Sequence, residues 1–268
     1  MAPKVSINLC CYNSEKYLRR TLASITEQTY GDWELVVIND GSTDSTGTIV
    51  REYVRKGYPI VSHYQENRGL AYSRNKALAL SGGEYIAFID DDDVWDGTKL
   101  DKQVRALASN RDSALVFTYC DALLPGGAQR PLNRSRITDL PLSSFSKAHN
   151  RRLLLRCGCF IALSSVMARS EPVRLAGGFN PRFSYVEDYD MWLRLAGTYD
   201  FSLVPEVLCL WRRHDGQSTV TMHKRALTEE IAINLRYLGS EGVDMLTRAH
   251  IVRNVCKFLL RRSLNLKR

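Results

Sequence analysis

Apolar and polar positions alternate in a regular rhythm over residues 4–120, where each short apolar run is followed by a stretch whose apolar residues recur at helical spacing. Val5, Ile7 and Leu9 open the first run, and residues 34–39, 60–64, 85–89 and 114–119 supply four more. Between the runs Leu18, Leu22 and Ile25 share one helical face, as do Ile49, Tyr53 and Val54, and then Leu100, Val104 and Leu107. Gly57 and the pair Gly82 and Gly83 are plausible helix stops. Short strands alternating with amphipathic helices predict an α/β fold built on a mostly parallel, helix-covered sheet.

After Asp121 the alternation fails, and "LLPGGAQRPLNRSRITDLP" reads as a long polar loop rich in Pro, Gly and Arg. Loops of that length in a compact protein are usually functional or mobile. An apolar stretch over residues 153–167 follows, then a short helix around 173–176 and a helix starting near "EDYDMWLRLAG". Strand-like "FSLV" and "VLCLWRR" come next, and a helical tail from Thr219 is broken at 239–242. No internal repeat is present.

Composition narrows the picture. No run approaches the roughly 18 apolar residues of a membrane span, and "VSINLCC" is too short for a secretory signal, so a cytoplasmic protein is expected. The seven cysteines are an odd number without a Cys-x-x-Cys pair, which argues against zinc and disulfide scaffolds. Of the +8 formal charge, the stretch from Arg212 to Arg268 carries 12 basic against 5 acidic residues, a surplus of 12 − 5 = +7.

Ligands of open α/β sheets bind beyond the carboxyl ends of the strands. Here the first four strands end in "CYN", "NDGSTDS", "ENRG" and "DDDD". Neither Gly-x-Gly-x-x-Gly nor a P-loop occurs, so acids and arginines stand where a glycine cradle would otherwise hold phosphates. Four successive carboxylates repel one another and need either water or a cation. A solvated face is the commoner reading of an acidic run, but the end of a buried strand favours a metal. In an extended segment Asp90 and Asp92 share one face while Asp91 and Asp93 point away, a pairing suited to Mg2+ or Mn2+.

Five ordered segments, "PKVSINLCCYNSEKYLRRTLASITEQTYGDWELVVINDGSTDST", "ENRGLAYSRNKAL", "GGEYIAFIDDDDVW", "VEDYDMWLRL" and "LWRRHDGQST", together resemble the inverting glycosyltransferases of family 2 over residues 3–218. The resemblance implies a GT-A fold, a Rossmann-like nucleotide-binding sheet with helices on both faces. Residues 1–120 would form the nucleotide-sugar half, 121–218 the acceptor half and 219–268 a basic helical extension. It also implies a divalent metal, Mn2+ or Mg2+, a nucleoside diphosphate sugar donor, UDP foremost, and a saccharide or glycolipid acceptor in cell-surface polysaccharide or glycolipid synthesis. No nucleic-acid partner is expected.

Residue by residue, the resemblance puts Tyr12 against the base and makes Asp40 accept a hydrogen bond from it. Asp92 would ligate the metal, Asp91 would lie near ribose and sugar, and Asp90 would complete the Asp-x-Asp pattern, with the register of the run open by one. Arg68 and Arg74 would face the nucleotide. On residue type alone, Tyr12 could equally be a packed aromatic, Asp40 a turn residue before Gly41 and Arg74 a helix-face residue. The second acid of "VEDYD", Asp188, would be the general base, since an acceptor hydroxyl attacks well only when a carboxylate takes its proton. Glu187 would orient the site or meet the acceptor, though either acid could instead complement a helix dipole. Arg212 and His214 would close over the diphosphate and the metal, with His214 as a further ligand.

In the tail, Ile251, Val255, Phe258 and Leu259 share a helical face, with Arg248, Arg253, Lys257, Arg261 and Arg262 largely around the rest. Such a helix can lie peripherally on the cytoplasmic face of an anionic membrane or dock on the domain or on a second copy as a homodimer. Two rival readings stand beside the transferase. "FIDDDDV" also fits a haloacid-dehalogenase-type phosphohydrolase with Asp90 as nucleophile, although that motif normally opens the first strand. The other is a non-catalytic sugar-nucleotide sensor.

Overall fold

The computed structural model describes residues 4–133, 145–217 and 223–265. The first half runs β1 (Val5–Cys11), α1 (Leu18–Thr26), β2 (Trp33–Asp40), α2 (Thr46–Arg55), β3 (Ile60–Gln65), α3 (Leu70–Leu80), β4 (Tyr85–Asp90), β5 (Val94–Trp95), α4 (Lys99–Ser109) and β6 (Ser113–Leu123). The second comprises β7 (Gln129–Pro131), α5 (Lys147–Cys157), a 3-10 turn Leu163–Ser165, β8 (Val166–Arg169), α6 (Ser170–Leu175), α7 (Glu187–Leu195), β9 (Asp200–Arg212), α8 (His223–Arg236) and α9 (Met245–Asn265).

One sheet with the order β3-β2-β1-β4-β8-β6-β9-β5 organises the molecule, and β7 pairs with β6. The first four strands in that order are parallel. β8 runs antiparallel to both β4 and β6, and β9 is parallel to β6. Consequently β1, β2, β4, β6 and β9 all deliver their carboxyl ends to the same edge, and the site is built there. The period-two alternation of strands splits each central strand between two cores. Tyr85, Ala87 and Ile89 of β4 pack with Leu18, Leu22, Ile49 and Leu100 beneath α1, α2 and α4. Ile86 and Phe88 point the other way, into a core shared with Leu154, Trp192 and Ile251 from α5, α7 and α9.

The expected elements differ from the observed ones in instructive ways. In α2 the inward face is Ile49, Val50 and Tyr53, while Val54 is exposed. Gly57 ends that helix with the left-handed φ of 85°. Gly83 has another reason to be glycine: a Cβ there would come within 2.6 Å of the Ser6 backbone nitrogen. "FSLV" and "VLCLWRR" belong to one 13-residue strand, whose register against β6 shifts around Pro205. Pro has no N–H for the ladder, which makes a bulge its natural place. Strands β5, β7 and β8 were not anticipated, and residues 134–141 of the expected loop lie outside the described residues.

The tail is helical with the expected break. Ile251 and Val255 pack with Ile233 and Val243 in the larger core, so this part of the tail's apolar face docks on the domain, one of the outcomes expected for it, and not on a membrane or a second subunit. The side chains of Leu259, Arg261 and Arg262 lie outside the described ones. Among the described residues no helix is long and apolar enough to cross a membrane, and none of the seven cysteines forms a disulfide.

Candidate active site

β4 ends at Asp90, and the chain turns at once, the Asp93 amide donating to the Asp90 carbonyl at 3.2 Å. The expected alternation therefore fails. Asp90, Asp91 and Asp92 all border one cleft, and only Asp93 turns inward, where it is fully buried. The cleft encloses about 1190 Å3. Tyr12 and Asp40 reach it from the ends of β1 and β2, and Arg212 and His214 reach it from the end of β9.

Short polar contacts hold the acidic turn. Asp91 Oδ2 accepts a short hydrogen bond from Ser14 Oγ and another from the Tyr12 amide at 3.3 Å. Thr21 Oγ1 donates to the carbonyls of Asp91 and Asp93 at 3.0 and 2.8 Å. Asp92 Oδ2 lies 2.9 Å from His214 Nε2, and Gln217 Nε2 stands 3.4 Å away. Arg212 donates through Nε to the Asp92 carbonyl at 2.8 Å and through its amide to Asp93 Oδ1 at 2.9 Å. The Tyr17 ring stacks on His214 at 4.6 Å and sits 5.0 Å from the Arg212 guanidinium.

The electrostatics follow from this crowding. Burial, then the neighbouring Asp92, pushes the Asp91 carboxyl up to about 7, and burial, then Asp90, does the same for Asp92. Burial and the nearby Lys16 lower the His214 pKa, favouring the neutral imidazole that binds metals. Among the described residues no three His, Cys, Asp or Glu side chains converge on a point. The Asp92–His214 pair nevertheless fits Mg2+ or Mn2+, which typically take few protein ligands and complete their shells with phosphate and water.

Tyr12 is 52% exposed, which removes the packed-aromatic alternative. Asp40 is buried and does what a turn residue does: Oδ1 accepts from Gln65 Nε2 at 2.7 Å and the Arg68 amide at 2.9 Å, and Oδ2 accepts from the Gly69 amide at 2.9 Å. A carboxylate has about four acceptor sites, which leaves room for one more donor from the cleft that Asp40 borders.

The two arginines differ from expectation. Arg68 is off the cleft, with its guanidinium 3.6 Å from the centre of the Tyr72 ring. Arg74 is buried behind the acidic turn, where Nη2 donates to Asp90 Oδ1 at 2.8 Å and Nη1 makes a short contact with Glu187 Oε1. Two carboxylates compete for this guanidinium, so it faces them rather than the cleft. Glu187 is 2% exposed and its Oε2 has no hydrogen-bond partner. Burial raises its pKa against the pull of Arg74.

Half-buried Asp188 accepts the Tyr189 amide at 2.7 Å, and burial, then Glu187, pushes its carboxyl up to about 7. Neither acid borders the cleft, but Ser184 and Tyr185 just upstream do. Their amides both donate to Glu229 Oε2 of α8, each at 3.0 Å. Sequence reasoning missed Ser14, Tyr17, Gln217 and Glu229. The first three lie inside motifs already singled out, whereas nothing local marks Glu229.

Asp90 closes the fourth strand and is tied to Arg74, which leaves the phosphohydrolase reading without a free nucleophile. Comparison with known proteins agrees. The model of "Glycosyl transferase family 2" matches residues 6–167. An uncharacterised glycosyltransferase of Rickettsia typhi, RT0329, is 30% identical over 226 residues, covering 82% of this chain and 67% of that protein. The Escherichia coli protein WfgD, a UDP-Glc:alpha-D-GlcNAc-diphosphoundecaprenol beta-1,3-glucosyltransferase, is 29% identical over 220 residues, covering 82% of this chain and 80% of its own. Among solved structures, the Pyrobaculum calidifontis mannosyltransferase PcManGT, in complex with GDP-Man and Mn2+, superposes with a TM-score of 0.69 at 19% identity, over 96% of this chain and 75% of that one. The chain thus belongs to glycosyl transferase family 2, with the GT-A fold of a sugar-transferring enzyme.

Proposed function

We propose that this enzyme moves a sugar, with inversion, from a nucleoside diphosphate donor, UDP foremost, to a hydroxyl of a saccharide or lipid-linked acceptor in polysaccharide or glycolipid synthesis on the cytoplasmic side of a membrane. The observation that carries the reading is the meeting, at one sheet edge, of Tyr12, Asp40, three acids of the β4 turn, Arg212 and His214 around a single cleft. In this reading residues 1–120 serve the donor, 121–218 the acceptor, and 219–268 form an extension that holds the acceptor side through Glu229. The UDP-glucose donor and lipid diphosphate acceptor named for the E. coli relative support the chemistry by analogy.

Tyr12 offers a face to the base, and Asp40 offers its remaining acceptor site to a base N–H. Asp92 and His214 would hold Mg2+ or Mn2+, which when bound supplies positive charge to the diphosphate. Arg212 adds a fixed cation beside the same turn. Asp188 takes the proton of the acceptor hydroxyl as that oxygen attacks the anomeric carbon, and the carbon–oxygen bond to the diphosphate breaks on the opposite side. A carboxyl raised to about 7 suits a general base at neutral pH. Glu187 and Arg74 act on Asp188 through their charges, Glu187 raising its pKa and Arg74 lowering it.

The test is a thermal-shift screen of UDP, GDP and ADP with and without Mn2+. UDP with Mn2+ should stabilise the fold, by about 2.7 kcal/mol at a hundredfold excess over Kd, and Asp92→Asn should lose the metal-dependent part. Metal-independent stabilisation in the parent, or undiminished metal dependence in Asp92→Asn, would contradict the ligand assignment.

A further inference from the structure

Helix α9 is 21 residues long, and over its described side chains, 245–258, it buries one side only. Thr247 and Ile251 face the protein. At 100° per residue, Met245, Leu246, Ala249, Val252, Arg253, Cys256 and Lys257 fall on one outward arc of roughly 140°, and all seven are exposed. Met245 is 77%, Leu246 71% and Val252 46% exposed, among the most exposed large apolar side chains described. Exposed apolar side chains gathered on one helix face form the kind of patch that serves as an interaction surface.

Charge says what covers it. From Met245 onward the chain carries seven Lys or Arg and no Asp or Glu. Arg253 Nη2 reaches His250 Nδ1 at 3.1 Å. After burial, the charges of Arg253, Arg156 and Lys257 hold the His250 pKa down, which places an α5 cation in the same field. A protein partner would have to be acidic along a whole helix face and apolar at its centre. An anionic bilayer offers both properties together, with apolar side chains entering the headgroup boundary and cations meeting lipid phosphates.

We propose that the outward face of α9, Met245, Leu246 and Val252 flanked by Arg253 and Lys257, docks the enzyme on an anionic lipid surface. This face is distinct from the Ile251 side that the sequence periodicity highlights. The proposal rests on the lipid-linked-acceptor reading for its purpose only, because the contact uses no residue of the cleft. Docking would confine the enzyme to the plane in which such an acceptor lies.

The full chain is sedimented, without nucleotide or acceptor, with vesicles of equimolar phosphatidylcholine and phosphatidylglycerol, and with phosphatidylcholine alone. The parent should bind the anionic vesicles, less so at high salt. Arg253→Glu with Lys257→Glu should weaken partitioning by at least about 25-fold, at about fivefold per basic residue near the surface. Met245→Ser, Leu246→Ser and Val252→Ser together should weaken it with every charge intact, so either set tests the face if the other fails to fold. Equal sedimentation of parent and both folded variants would overturn the proposal. So would parent self-association in light scattering that the serine variant abolishes, since a second copy would then be the occupant. Loss of vesicle binding with unchanged UDP stabilisation separates this face from the donor site.

Discussion

Removing the Arg74 guanidinium should destabilise the protein in a pH-dependent way and shift the titration of Asp188. Arg74 lies between Asp90 and Glu187, whose side chains are 36% and 3% exposed. Water screens the Asp90 contact, so the cost falls mainly on Glu187. Deleting one partner of a buried ion pair typically costs about 3–5 kcal/mol, which at ~2–4 °C per kcal/mol for a chain of this size lowers Tm by roughly 6–20 °C. Glu187 already carries a raised pKa. A carboxyl whose folded pKa lies above its unfolded value stabilises least when ionised, so stability is lost as pH rises through the folded pKa. Arg74→Met raises that pKa further, so its Tm deficit should be largest at alkaline pH and shrink as pH falls. Arg74→Lys should fall between, since an ammonium cannot fork across two carboxylates. Arg74 also holds down the Asp188 pKa, so in Arg74→Lys the rising limb of the pH–rate profile should move to higher pH. Thermal melts from acid to alkaline pH check the first claim. A deficit independent of pH would refute the view that Arg74 chiefly compensates buried carboxylate.

Two further outcomes follow from the site's geometry. Asp40→Ala should weaken UDP binding by roughly 1–3 kcal/mol, the scale of losing a charged acceptor, and should also lower Tm, because the Arg68 and Gly69 amides lose their partner; unchanged affinity in calorimetry would leave Asp40 a turn residue only. Glu229→Ala releases the Ser184 and Tyr185 amides, so acceptor KM should rise or kcat fall several-fold with donor affinity unchanged, and Glu229→Gln, which keeps an acceptor oxygen, should recover most of the loss.

The strands were legible where they are fully buried, because β1, β2 and β4 read as apolar runs bounded by polar ends. Helix α3 was not, since its inward side is made of Ala71, Ser73, Arg74, Ala77 and Leu78 rather than an apolar stripe. Strands β5, β7 and β8 have two to four residues, too few for a period to emerge. The Asp92–His214 pair was legible from two motifs and lies at 2.9 Å. The facing of Asp91 was misjudged because the strand ends at Asp90 and a turn has no alternation. Residue type could not tell whether Arg74 meets a ligand or two carboxylates, because either partner suits a guanidinium. Glu229 was invisible, since its partners are backbone amides that any sequence offers.

The central claim is that Asp188 is the base of a glycosyl transfer. It is tested by transfer kinetics of Asp188→Asn with the donor selected by the thermal-shift screen and a competent acceptor, at saturating donor and Mn2+. Asparagine keeps the shape and an oxygen for the Tyr189 amide but cannot accept the proton. Positioned general-base catalysis contributes about 10² to 10⁴ in rate, so turnover should fall by that factor while donor affinity and Tm hold. The rising limb near pH 7 in the parent, set by the Asp188 carboxyl at about 7, should vanish. Transfer within a few-fold of the parent, with that limb intact, would contradict the account.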